Sequence, residues 1–209
     1  MTGESTRPGG LTTHQVWDGP TRLYHWTNAV TICGSMLTGW VFVYVLIEGT
    51  PKVVMEGYRA FHLAFGYLFF GLLIARCVWG FVGNRFARWS AVLPTRHTFA
   101  AVPFEVAAVF RGYPHEYLGR SPLSRISNTV MFALFLVQAA SGLGREWTDF
   151  YYPFATIHHY NAYLLTTVIL VHICGAVLSE VMQRSGVVSA MLSGTKVMSG
   201  APIDAESGD

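Results

Sequence analysis

Residues 157–172, IHHYNAYLLTTVILVH, lie inside a longer apolar segment and contain three histidines, His158, His159 and His172. On an α-helix each residue turns by about 100° and rises by about 1.5 Å. The steps from His158 to His172 therefore end within about 40° of four full turns, after a rise of about 21 Å. These two imidazoles share one helix face at two depths, while His159 points elsewhere. An intramembrane histidine predicts a functional site, although a hydrogen bond to a neighbouring helix is the alternative for each.

The composition indicates an all-α integral membrane protein. Of 209 residues, 52% are hydrophobic and only 12% are charged, against about 25% charged in soluble domains. The net charge of +2 comes without a basic arm, so nucleic acid is not an expected partner. Three cysteines, Cys33, Cys77 and Cys174, lie in apolar segments without a close pair, which favours small core residues over disulfides or zinc ligands.

Apolar runs and breaks predict a four-helix bundle of membrane spans. The spans cover about residues 21–47, 59–82, 126–143 and 155–182, each long enough to cross a bilayer. We expect a flexible cytoplasmic N-terminus over residues 1–20, a four-helix transmembrane domain over 21–195 and a disordered tail over 196–209.

The connection between the second and third spans, residues 84–125, is rich in arginine. The positive-inside rule places this connection in the cytoplasm, and with it both termini. Its apolar stretch 98–110 is short and contains Pro103, which favours a short interfacial helix over a further span.

With that topology, four histidines within spans sort into two pairs at matching depths. His62 and His158 fall near the outer face, and His25 and His172 fall toward the cytoplasm. Each pair could bind one iron from opposite sides, which predicts two stacked b haems. His25 is barely one turn into its span, so the inner pairing requires the fourth span to project past the bilayer or the first to begin inside the bundle. His159 remains an alternative to His158.

An arginine three residues before a histidine occurs twice, as Arg22 before His25 and Arg59 before His62. Such an arginine shares a helix face with the histidine and suits a haem propionate; snorkelling to lipid headgroups is the alternative. Gly66 and Gly175, about one turn after His62 and His172, would leave room for a flat macrocycle, or serve helix packing.

The chain resembles the prokaryotic cytochrome b561 superfamily, which includes the b-type cytochrome subunit of membrane nickel–iron hydrogenases. The resemblance rests on VWDGPTRLYHW (16–26), RAFHLAFGY (59–67), VWGFVGNRFARW (78–89) and the histidines of IHHYNAYLLTTVILVH. It covers residues 16 to about 195. Two departures are His158-His159, where many members carry His-Glu, and Ser121-Pro122-Leu123-Ser124 in place of Asn-Pro-Leu-Gly.

The resemblance implies that His25, His62, His158 and His172 are haem ligands in a bacterial inner membrane protein. The haem pair of the family carries electrons between a redox partner and membrane quinone. Iron with two histidine ligands has no open coordination site, which also favours electron transfer. We therefore expect the electron-transfer subunit of an oxidoreductase complex, with a hydrogenase, a dehydrogenase or a c-type cytochrome as its partner.

Two rival functions differ in what they require. A stand-alone superoxide oxidase passing electrons to quinone needs a cationic outer entry, for which Lys52, Arg59 and Arg145 are candidates. A metal transporter needs polar or acidic residues inside the spans, which are almost lacking. For the quinone, possible walls of a cytoplasmic-side pocket are segment 98–110 and three side chains, Arg88, Trp89 and His97.

Overall fold

The computed structural model describes residues 5–7, 11–45, 49–112, 117–183 and 186–198. Most of these residues are helical, in agreement with the predicted class. In chain order the elements are β1 (Ser5–Arg7), β2 (Leu11–Gln15), α1 (Gly19–Tyr44), α2 (Lys52–Val82), α3 (Trp89–Val92), α4 (Arg96–Phe110), α5 (Pro122–Trp147), α6 (Tyr151–Gln183), α7 (Val187–Ser193) and β3 (Thr195–Met198).

Three helices of the described chain are long and apolar enough to cross a membrane: α2, α5 and the Tyr151–Val181 part of α6. Their apolar side chains are largely exposed, as expected for helices whose surroundings are lipid. Each extends beyond the predicted span; α2, for example, begins at Lys52 rather than at residue 59.

Helix α1 matches the predicted first span in position but is not among these three. Its 26 residues would extend about 39 Å, which is enough to cross a bilayer. Threonine, asparagine and serine interrupt its apolar sequence, and four of these side chains, Thr21, Asn28, Thr31 and Thr38, are buried. The four-span bundle and its orientation therefore stay a prediction. At the start of the helix the Asp18 carboxylate accepts a hydrogen bond from the Thr21 amide at 2.8 Å.

The chain divides into two units, described separately below. The first comprises Met1–Arg22, Trp79–Ala133 and Leu165–Asp209, and the second comprises Leu23–Val78 and Leu134–Leu164.

The first unit contains a three-stranded antiparallel sheet in the order β1-β2-β3. Thr12 pairs with Met198 and Gln15 with Thr195. A buried cluster lies beside this sheet and consists of Val16, Trp17, Phe86, Leu118, Ala190 and Met198.

The sheet differs from the flexible N-terminus expected over residues 1–20 and from the tail expected to be disordered from residue 196. Strands form because Val16, Trp17 and Met198 bury apolar area, and because the Lys196 ammonium donates to the Tyr117 carbonyl at 2.6 Å. The strands are short and rich in threonine, so local composition did not reveal them. Residues 1–4, 8–10 and 199–209 lie outside the described part of the chain.

Helix α4 confirms the helix predicted around residues 98–110 and begins with a capping box between Thr95 and Thr98. Phe99, Phe104 and Phe110 are exposed along it, which is compatible with the predicted interfacial depth.

The opposite side of α4 is attached to α5. Glu105 is only 8% exposed, and its carboxylate accepts a hydrogen bond from the Leu123 amide at 2.7 Å. Because Leu123 lies in the first turn of α5, this bond satisfies an amide that has no partner within its own helix.

Candidate functional site

The second unit brings together His62 of α2 and His158 of α6, which form one of the two predicted pairs. Their ring centroids lie 6.1 Å apart and the ring planes are inclined at 85°. Both side chains are partly buried. Of the four histidines predicted as ligands, these two are the pair whose rings meet within one unit.

The His62 ring is held by α1. Its Nδ1 lies 3.0 Å from the Ser35 carbonyl oxygen and 3.2 Å from the Thr38 hydroxyl. A carbonyl only accepts, so Nδ1 carries the proton and Nε2 is the basic nitrogen. The Thr38 hydroxyl donates to the Gly34 carbonyl at 2.8 Å, which leaves its oxygen to accept from the ring.

The His158 ring is held by α5 in the same way. Its Nδ1 lies 3.2 Å from both the Gln138 carbonyl oxygen and the Ser141 hydroxyl. The Ser141 hydroxyl donates to the Val137 carbonyl at 2.7 Å. The two helices thus present the same set, a carbonyl followed three residues later by a hydroxyl, and Nδ1 is again the protonated nitrogen.

A glycine completes each set. A Cβ on Gly39 would lie 3.3 Å from His62 Cε1, and a Cβ on Gly142 would lie 3.2 Å from His158 Cε1. A methyl group at either position would press on the imidazole, so each ring rests directly against helix backbone. We call residues 35, 38 and 39 of α1, and residues 138, 141 and 142 of α5, the two cradles.

The cradles suit histidines that bind a metal through Nε2. Histidine ligands almost always donate the other ring nitrogen to a carbonyl or carboxylate, which fixes the tautomer. Two imidazoles on opposite sides of one metal would have centroids about 6 Å apart, because each metal–nitrogen bond is about 2 Å long. The observed separation of 6.1 Å matches this arrangement. The two histidines therefore fit an iron held from both sides, as in a b haem.

The two sides of the site differ in one respect. His158 Nε2 lies 3.1 Å from the Gln138 side-chain amide nitrogen. The Asn161 amide in turn donates to Gln138 Oε1 at 2.7 Å and to the Leu134 carbonyl at 3.0 Å. Iron binding at His158 would replace the bond from Gln138.

His159 lies on another side of α6. It is exposed and meets the Tyr163 ring edge-on at 4.9 Å, and Tyr163 contacts Tyr44 through their hydroxyl groups. The structure therefore brings His158, rather than His159, to His62.

The inner pair stays a prediction. His25 belongs to the second unit, where its ring meets that of Trp26 edge-on at 5.1 Å. His172 belongs to the first unit and is partly buried.

Both arginines that were predicted to bind haem propionates interact with other groups of the protein. Arg22 donates to the Leu192 carbonyl near the end of α7, where a cation also compensates the helix dipole. Arg59 forms an ion pair with Glu146 at 2.7 Å. Gly66 and Gly175 have nothing within 4 Å of a built Cβ, which is compatible with the predicted room for a macrocycle.

The cradle residues were not identified from the sequence. The two cradle segments share a sequence pattern, because each ends in a residue with a hydroxyl group followed by glycine. They are Ser35-Met36-Leu37-Thr38-Gly39 and Gln138-Ala139-Ala140-Ser141-Gly142. That pattern is common in membrane helices because small residues allow close packing. Without the partner histidines it does not indicate a site.

The quinone pocket predicted at segment 98–110 stays a prediction, and its three other proposed wall residues have the following surroundings. The Trp89 ring lies between those of Phe81 and Phe132, with centroids at 6.3 and 5.0 Å. Arg88 donates to the Gly83 carbonyl, and His97 is exposed on α4. Among the described residues, no group of three or more His, Cys, Asp or Glu side chains could hold a bare metal ion.

A family and several relatives match most of the chain. A family model described as prokaryotic cytochrome b561 matches residues 16–194. A probable Ni/Fe-hydrogenase B-type cytochrome subunit of Bradyrhizobium diazoefficiens is 27% identical over 91% of this chain and 88% of its own length. A protein of the same description from Rhizobium leguminosarum bv. viciae is 28% identical over 87% and 88%. A probable Ni/Fe-hydrogenase 1 B-type cytochrome subunit of Escherichia coli K12 is 22% identical over 88% and 91%.

Proposed function

Because this chain belongs to the prokaryotic cytochrome b561 family, we propose that it carries electrons between a redox protein and membrane quinone through two b haems. Membrane electron transport by a b-type cytochrome follows from the family itself. The two haems, their ligands and the quinone are the finer part of the proposal. The residues that would hold the two irons are His62 with His158 and His25 with His172.

The observation that carries the proposal is the His62–His158 pair. Two rings at 6.1 Å, each with Nδ1 directed to a helix carbonyl, leave Nε2 as the basic nitrogen on both sides. When bound there, the haem supplies one-electron exchange at an iron without an open coordination position. The cradles would hold both ligand rings in place.

The second haem rests on spacing along α6. His172 follows His158 on one helix face with a rise of about 21 Å, which places it at a second depth. His25, near the start of α1, supplies the partner ring. With four spans and both termini in the cytoplasm, the two sites would form a path across the inner membrane.

The partner is proposed from the relatives, which are described as hydrogenase subunits. A hydrogenase is therefore the first candidate for the redox protein, ahead of a dehydrogenase or a c-type cytochrome. Stand-alone superoxide oxidation has less support. Arg59, one of its candidate steering cations, is neutralised by Glu146, so it attracts an anion weakly.

Haem counting by the pyridine haemochromogen method on the purified full chain tests this function. We expect two protohaems per chain, and one after His62→Ala or His158→Ala. His159→Ala is the matched control and should retain both, because its ring faces Tyr163. The absence of haem, or loss of haem in His159→Ala but not in His158→Ala, would overturn the assignment.

A further inference from the structure

We propose that Thr38 and Ser141 are matched positioning residues that hold the two outer imidazoles at right angles, giving the haem between His62 and His158 perpendicular axial ligands. This inference rests on the proposed function, because it concerns the geometry of the haem site assigned there. It goes beyond that function by assigning the residues that set the electronic character of one haem.

Each imidazole is restrained by more than its attachment to a helix. The His62 N–H is shared between the Ser35 carbonyl at 3.0 Å and the Thr38 oxygen at 3.2 Å. Two acceptors on neighbouring turns define a direction for the N–H bond, whereas one acceptor would leave the ring free to swing about it. Thr38 is 9% exposed and its hydroxyl hydrogen is directed to Gly34 or Ser35, so its oxygen stays oriented toward the ring.

Ser141 repeats this restraint for His158. It is 2% exposed, and its hydroxyl donates to the Val137 and Gln138 carbonyls. The His158 N–H is shared between the Gln138 carbonyl and the Ser141 oxygen. The two rings are therefore fixed independently, each by its own helix.

The glycines leave room for each ring in this orientation. A Cβ on Gly39 would lie 3.3 Å from His62 Cε1, and a Cβ on Gly142 would lie 3.2 Å from His158 Cε1, so a larger residue would displace the ring. The interplanar angle of 85° is thus held by two restraints on different helices.

Ligand-plane orientation has a direct electronic consequence. Parallel imidazoles lift the degeneracy of the two iron d orbitals that overlap with them, whereas perpendicular imidazoles leave those orbitals nearly equal in energy. The first case gives a rhombic low-spin electron paramagnetic resonance (EPR) spectrum, and the second gives a strongly axial one with a large maximum g value. Partners of the ligands are expected to tune the metal in this way.

The test is EPR spectroscopy of the oxidised purified chain. A His25→Ala background isolates the signal of the outer haem, and a His172→Ala background gives a second, independent route. We expect the unmodified outer site to show the large maximum g value. Thr38→Val and Ser141→Ala should keep the haem but shift that value toward the rhombic range, and Thr38→Ser should restore it.

Thr31→Val is the matched control. Thr31 lies two turns before Thr38 on α1, is 1% exposed and donates to the Thr27 carbonyl, so its loss should leave the spectrum unchanged. A rhombic signal from the unmodified outer haem, or an unchanged signal in both Thr38→Val and Ser141→Ala, would overturn the inference. A chain without haem would instead contradict the proposed function.

Discussion

At the scale of single residues, the chain holds two histidines, His62 and His158, with the same set of contacts. His62 and His158 could be predicted from depth and helix face, because these depend only on spacing along each segment. Their cradles could not, because the contact between Thr38 and His62, or between Ser141 and His158, depends on how different helices meet. Arg59 illustrates the same limit. Its position three residues before His62 predicted a contact with a haem propionate, whereas the structure pairs it with Glu146.

Replacing Gly142 by alanine should displace the His158 ring. The added methyl would lie 3.2 Å from His158 Cε1, closer than ordinary van der Waals contact, so the ring must move by a few tenths of an ångström. We expect weaker retention of the outer haem, measured as haem per chain after dilution into haem-free detergent. Gly71→Ala is the control, because nothing lies within 4 Å of that Cβ. Equal retention in both variants would contradict the role of Gly142.

At the scale of elements, the arginine-rich connection is organised by backbone carbonyls. Arg88 donates to the Gly83 carbonyl just after α2, and Arg125 donates to the Ser90 and Leu93 carbonyls at the end of α3. The cytoplasmic side of this connection stays a prediction from its arginine content, and that content did not predict the use of arginines as caps. Arg125 contacts residues more than thirty positions away in the sequence. The composition of the connection does not predict which carbonyls its arginines contact.

Glu105→Leu should destabilise the junction between α4 and α5. The substitution replaces the carboxylate by a shorter apolar side chain and leaves the Leu123 amide without the group that accepts its hydrogen bond. Loss of a buried, charge-assisted hydrogen bond costs about 1–3 kcal/mol, measured here by thermal unfolding in detergent. Glu105→Gln retains an acceptor and should lie close to the unmodified chain. If the two variants were equally destabilised, the bond to Leu123 would not be the cause.

At the scale of the whole molecule, a helical class and three of the spans could be predicted, because hydrophobic content and length decide them. The small sheet could not, since β2 and β3 are separated by almost the whole chain. Its stability depends on the buried cluster beside it, in which Met198 is 1% exposed. No local pattern around residue 198 indicates that partner cluster.

Met198→Ala should loosen the pairing of β2 with β3. Removing a buried methionine side chain costs about 2–5 kcal/mol, so the amide hydrogens that bond across the β2–β3 ladder should exchange markedly faster. Hydrogen exchange with mass spectrometry measures this change. Leu192→Ala, at a side chain that is 63% exposed, should change exchange little. Unaltered exchange in Met198→Ala would show that the cluster does not stabilise the sheet.

The pairing of β2 with β3 also constrains how many times the chain crosses the bilayer. Hydrogen-bonded strands must lie in the same aqueous compartment, so the number of crossings between Gln15 and Thr195 is even. If α2, α5 and α6 each cross once, parity requires one more crossing. Among the described elements outside those three, α1 is long enough to supply this crossing. The backbone hydrogen bonds between β2 and β3 therefore support a fourth span, although hydropathy does not identify it.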